Sequence, residues 1–96
     1  MKARNLVFNA LLKVENDGYS TIILSSILKE ANNNNFAFIT ALFYGVIERK
    51  YTLDYVLNKY LDKGIKSLKT EILTYLRMGL YEALYMNTPI YAIKKP

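Results

Sequence analysis

Four lysines, Lys59, Lys63, Lys66 and Lys69, fall close together in the chain with Asp62 as the acidic residue among them. An ammonium on a flexible stem is a point-charge donor, and several presented from one connector can follow a phosphate backbone. A second cationic set, Lys2, Arg4 and Lys13, lies along the first amphipathic stretch and is suited to the same contact. Tyr19, Tyr51, Tyr55 and Tyr91 offer ring faces on which unpaired bases could stack. Each feature also has a plainer use. The lysines keep a tyrosine-rich domain soluble, and tyrosines at helical spacing commonly serve a core or its rim.

Other chemistries have less to stand on. The chain contains neither Cys nor His, which removes a thiolate nucleophile, a Ser-His-Asp triad and a Cys or His zinc site. There is no glycine-rich phosphate loop, and the eight carboxylates are scattered singly. The chain by itself reads as a binding module without catalytic residues, metal or cofactor. Its net charge of +5 and pI near 9.4 favour a polyanionic partner. The first residues lack a continuous apolar signal region, so a cytoplasmic setting is expected.

The elements that position these residues are read from apolar periodicity, which is helical throughout. A first helix is predicted over residues 2–15, with Ala3, Leu6, Val7, Ala10, Leu11 and Val14 on one face and Arg4 at its edge, beside Phe8. Gly18 caps it, and Ser20 or Thr21 caps a second helix over 21–31. Asn32 to Asn35 form a loop whose last residue caps a third helix over 36–49. Gly45 within that helix points to close approach by another. A fourth helix, capped by Thr52, carries Leu53, Val56, Leu57, Tyr60 and Leu61 on one face and ends at Gly64.

The central element is a helix over 67–86, capped by Ser67 or Thr70. It is apolar almost all round, with Ile72, Leu73, Leu76, Leu80, Ala83 and Leu84 along one face. Glu71, Arg77 and Glu82 argue against a membrane span. Arg77 and Glu82 require partners, since an unpaired buried charge is costly; Glu48 and Glu71 are candidates for Arg77. Thr88 and Pro89 then open a sixth helix. The fold expected is all-α, a compact bundle of five helices plus the start of a sixth around a central buried helix.

Ala3-Arg4, Val7, Leu11, Val14, Gly18-Tyr19-Ser20, the run Leu42-Phe43-Tyr44-Gly45-Val46-Ile47 with Arg49, and Leu53-Asp54 also carry a resemblance. So, above all, do Leu76-Arg77-Met78-Gly79-Leu80-Tyr81-Glu82, Leu84-Tyr85-Met86 and Pro89. Their order and spacing resemble the NusB-like domain at the N-terminus of the Sun/Fmu (RsmB) ribosomal RNA cytosine-C5 methyltransferases. The resemblance implies an RNA-binding domain that places small-subunit ribosomal RNA before a separate catalytic domain using S-adenosylmethionine. The same fold also implies an alternative, a NusB-type transcription antitermination factor, which binds RNA together with a ribosomal protein, although the tyrosine-glycine and Leu-Tyr-Met residues sit closer to the methyltransferase branch. In that factor the arginine-rich start of the first helix contributes, and only Lys2 and Arg4 match it here.

The family continues past Pro89 into an Ala-rich segment and a further long helix, whereas this sequence closes on Lys94-Lys95-Pro96. One NusB-like domain over 1–96, truncated at its C-terminus, is therefore expected. The truncated surface is a possible dimer contact. The site residues expected for RNA are Lys2, Arg4, Lys13, Lys59, Lys63, Lys66 and Lys69. A protein-interaction module, docking a methyltransferase domain in cis or a ribosomal protein through exposed tyrosines and Phe8, is the remaining alternative.

Overall fold

A computed structural model describes residues 2–87, with Lys2 and Asp17 described by backbone only. The repeat of Ala3, Val7, Ala10 and Leu11 forms α1 (Lys2–Asp17). It stops where Gly18 takes φ +78° and its N–H donates to the Val14 carbonyl at 2.8 Å. That left-handed conformation carries a steric penalty for any side chain, which glycine avoids. Then follow α2 (Ser20–Leu28), a 3-10 turn (Asn33–Asn35), α3 (Phe36–Glu48), α4 (Lys50–Tyr60), a second 3-10 turn (Ile65–Ser67) and α5 (Thr70–Tyr85). No strand occurs among the described residues, so the all-α expectation holds. The sixth helix expected from Thr88 and Pro89 lies outside the described residues, as does Tyr91.

α1 packs against α2, α3 and α5, while α3 and α4 each pack against α5. At the centre, Val7 and Ala10 of α1, Ile39, Leu42 and Phe43 of α3 and Leu53 of α4 have no accessible surface. Burying one such aliphatic or aromatic side chain contributes about 1.5–3 kcal/mol.

The helix starts differ from those expected. Tyr19, Arg49 and Lys69 occupy the cap positions of α2, α4 and α5, and none makes a side-chain cap hydrogen bond. Asn35 does precede α3, but its side chain makes no cap bond either. Thr52 lies inside α4, because a single residue joins α3 to α4: the Arg49 N–H donates to Gly45 and its carbonyl accepts from Leu53. Ser67 belongs to the second 3-10 turn, where its hydroxyl donates to the Gly64 carbonyl at 2.8 Å. Helix α2 ends early because the N–H groups of Glu30 and Ala31 bond three residues back, to Ile27 and Leu28.

α5 occupies the expected central place but presents a different side inward. Its buried residues are Thr74, Arg77, Met78 and Glu82, whereas Ile72, Tyr75, Ala83 and Leu84 are exposed. Of the apolar stripe expected in the core, Leu73, Leu76 and Leu80 are half-buried, Leu80 against the core, while Ile72, Ala83 and Leu84 face outward. The reason is electrostatic: the two charges on the inward side find partners on neighbouring helices, and each would be costly elsewhere in the interior. No described helix is long and apolar enough to cross a membrane.

Gly45 is used as its place in α3 suggests. A Cβ added there would overlap the Tyr81 ring of α5, so glycine is what lets this ring cross the surface of α3. Gly45→Ala gains about 1 kcal/mol of helix propensity and incurs about 1–3 kcal/mol of overpacking. A net loss is expected in urea denaturation of the single variant. In a Tyr81→Ala background, which removes the ring, the same substitution should become stabilising; persistent destabilisation there would exclude the ring as the cause.

Candidate nucleic-acid interface

The two cationic sets meet different fates. On α1, Lys13 is exposed, and the Lys2 side chain lies outside the described residues. Eleven residues separate them, which returns a helix to nearly the same angle, so both belong to one side. Arg4 lies on the opposite side. Its Nε and Nη2 donate to the two carboxylate oxygens of Glu82 at 2.9 and 2.7 Å, a two-point contact in which both side chains are mostly buried. The Arg4 guanidinium also lies 5.4 Å from the Phe38 ring centroid. The hydrogen bond to Glu82 holds the guanidinium above its ordinary pKa, against the opposing effect of burial. The structure thus does not bring Arg4 together with Lys13 on one surface.

Arg77 makes a second two-point contact. Its Nε and Nη2 donate to Asp54 of α4 at 2.7 and 2.9 Å, and its Nη1 donates to Glu15 of α1 at 3.1 Å. Glu48 and Glu71 are not the partners. Lys50 reaches the same Glu15 oxygen at 3.1 Å. Burial pushes the Glu15 carboxyl up, but the hydrogen bond and charge of Lys50, joined by Arg77, outweigh it and hold the group below its ordinary value. A cavity of about 300 Å³ opens above this cluster, walled by Leu11, Val14, Val46 and Ile47. Glu15, Arg77 and Lys50, which also line it, pair with one another, and Thr74 donates to the Thr70 carbonyl. Among the described residues no group of three acidic side chains could hold a metal.

The second set is the more accessible. Lys59 near the end of α4, and Lys63, Lys66 and Lys69 in the connector, are all exposed. The connector folds back on α4 because the Asn58 Oδ1 accepts from the Ile65 N–H at 2.8 Å. Gly64, at φ +72°, makes the turn, and a Cβ there would press on that same Asn58 oxygen. That hydrogen bond brings the second 3-10 turn, which carries Lys66, back against α4.

Beside them stand residues whose exposure periodicity does not reveal. Tyr51 and Tyr60 are more than four-fifths exposed and Tyr55 about three-fifths. Tyr60 was expected on the apolar face with Leu53; it stays at nearly the same angle as Leu53 but is exposed as the last residue of α4. Arg49, also exposed, lies over the Tyr85 ring at 4.3 Å. The signal that could have found this surface is the four-residue spacing of Tyr51, Tyr55 and Lys59, which places all three along one side of α4.

The NusB family model matches residues 1–94. The probable ribosomal RNA small subunit methyltransferase B of Bacillus subtilis (strain 168) is 35% identical over 87 residues, covering 88% of this chain and 19% of that protein. Ribosomal RNA small subunit methyltransferase B of Proteus mirabilis (strain HI4320) is 32% identical over 94 residues, covering 93% of this chain and 21% of its own length. The transcription antitermination protein NusB of Campylobacter jejuni subsp. doylei is 30% identical over 91 residues, covering 92% of this chain and 69% of that protein. The chain spans about one fifth of the methyltransferase relatives it matches. No solved structure gives a significant match.

Two outcomes follow from the ion pairs. Removing one member of a buried pair leaves the other uncompensated, so Glu82→Ala should cost about 3–5 kcal/mol in urea denaturation. The double variant Arg4→Met with Glu82→Leu should recover most of that loss, and failure to recover it would show that Glu82 does more than answer Arg4. For Glu15, a carboxyl whose pKa is lowered on folding contributes stability that is full above its unfolded value, about 4.3, and is lost as pH falls through the folded one. Glu15→Gln should therefore lower the melting temperature at pH 7 and converge with the parent toward pH 3.

Proposed function

The chain belongs to the NusB family, and on that premise we propose that it is an RNA-binding domain that places small-subunit ribosomal RNA for a cytosine-C5 methyltransferase. The observation that carries the reading is the agreement of that family match with an exposed basic connector, Lys59 to Lys69, pinned against α4. The two methyltransferase relatives, named for action on ribosomal RNA of the small subunit, favour this branch. In this reading the domain supplies no reacting group. S-adenosylmethionine and the catalytic residues belong to a different part of the enzyme, and this domain raises the local concentration of substrate.

Lysine contacts to phosphate account for affinity, and Lys13 adds to them from α1, together with Lys2. Arg4 takes a structural role, since its guanidinium is committed to Glu82. A second reading, a free-standing antitermination factor, has its own support in the Campylobacter relative, 69% of whose length is matched. The readings share the RNA surface and differ in what the rest of the natural protein does. A downstream glycine-rich strand-loop-helix and catalytic cysteine in the gene would favour the methyltransferase.

Fluorescence anisotropy with fragments of small-subunit ribosomal RNA tests the shared reading. Log affinity should fall linearly with log salt, and Lys59, Lys63, Lys66 and Lys69 changed together to Gln should reduce the slope by roughly 3 if all four contact single-stranded phosphates. Helical circular dichroism should be unchanged because all four side chains are exposed. An unaltered slope would remove the connector from the interface.

A further inference from the structure

We infer that the outward side of α4, with the pinned turn after it, is a stacking site for unpaired RNA bases, so that the domain selects single-stranded segments over duplex. This deepens the RNA-binding reading above and rests on it. The first observation is exposure. Tyr51 is 87% and Tyr55 62% exposed, so neither ring does the work of a core residue. The second is alignment. Tyr51, Tyr55 and Lys59 follow one another at intervals of four residues, a rise of about 6 Å each, and form one ridge along the helix. The third is the pairing of charge with ring: Lys59 Nζ lies 4.7 Å from the Tyr55 ring centroid, which places a cation beside an aromatic face. Strands are gripped this way where bases stack on rings and nearby cations meet the backbone.

The orientation of the ridge is fixed from within. Leu53 is fully buried, and Asp54 is held at two points by Arg77. With those neighbours turned inward, residues 51, 55 and 59 are turned to water. At the ridge's end, the hydrogen bond from Ile65 N–H to Asn58 ties the turn that bears the exposed Lys63 and Lys66 to α4.

Unpaired RNA fits this surface better than the alternatives. A duplex buries its base faces in its own stack and offers phosphates alone. A protein partner would meet a ridge with lysine along it, and lysine is depleted from protein interfaces relative to the rest of the surface. The exposed aliphatic residues Ile22, Ile72 and Leu84 lie on α2 and α5, not on this helix.

The test compares the 96-residue chain with Tyr51→Ala, Tyr55→Ala, their combination and the corresponding Tyr→Phe variants. The probe is a fluorescein-labelled mixed-sequence oligoribonucleotide, alone and annealed to its complement. The parent should bind the single strand more tightly than the duplex. Each alanine should weaken single-strand binding by roughly 5- to 150-fold while leaving duplex binding and the melting temperature unchanged, and phenylalanine should preserve it. If alanine variants bind the single strand as the parent does while the four-lysine variant weakens, RNA binding stands and the stacking site is refuted. If the parent binds neither form, the RNA-binding reading itself fails. A ribosomal protein captured through Tyr51 and Tyr55, without measurable RNA affinity, would overturn the inference in favour of protein contact.

Discussion

Two guanidinium–carboxylate contacts hold α5 in place, and much of the structure depends on them. Taking a charge out of water costs several kcal/mol unless an opposite charge with good hydrogen-bond geometry is waiting. α5 turns one of each sign inward, Arg77 and Glu82, and α1 answers both, with Glu15 near its end and Arg4 near its start. The order of the pairs requires α1 and α5 to run antiparallel. It also sets their register, since sliding α5 to bring Glu82 toward Glu15 would oppose two carboxylates. Bringing Arg77 to Arg4 would oppose two guanidinium groups. An apolar interface alone discriminates less sharply between such placements, because many arrangements bury similar area.

This explains which parts of the fold were legible. The inward sides of α1 and α3 were readable because both are lined by apolar residues at helical spacing, and their buried sets, such as Val7 and Ala10 or Ile39 and Phe43, fall on those sides. The inward side of α5 was not. Its apolar stripe lies beside its charged one and is only half-buried at Leu73, Leu76 and Leu80, and periodicity weights the apolar one. Only the partners reverse that judgement, and Asp54 and Glu15 lie 23 and 62 residues from Arg77, with nothing local to announce them. The helix starts were misplaced for a related reason. Ser and Thr are good caps in general, but the one-residue joint at Arg49 lets α3 run almost directly into α4 and moves the boundary away from Thr52.

The candidate site divides along the same line. The exposure of the connector lysines could be read from the sequence because Gly64 and the surrounding polarity mark a turn, and a lysine there keeps its ammonium in water. Arg4 was misleading because its type and its place near the chain start suit a phosphate as well as they suit Glu82. Residue type could not decide between them. The angular position could: two residues on from Lys2, Arg4 lies across the helix from Lys2 and Lys13, on the side that meets α5.

The same ion pair that closes the core also shapes the outer surface. A helix packed by aliphatic contacts alone can roll about its axis at modest cost, because one aliphatic side chain replaces another in the groove it fills. Asp54 denies α4 that freedom, since a bidentate contact with Arg77 has a narrow geometry and its loss would strand a charge that is nearly buried. Leu53, buried next to Asp54, lies nearly across α4 from Tyr51 and Tyr55, so the roll that Asp54 fixes turns both rings outward. The polar interior is therefore tied, through the roll of one helix, to the surface proposed to meet RNA, although its own charged groups lie elsewhere.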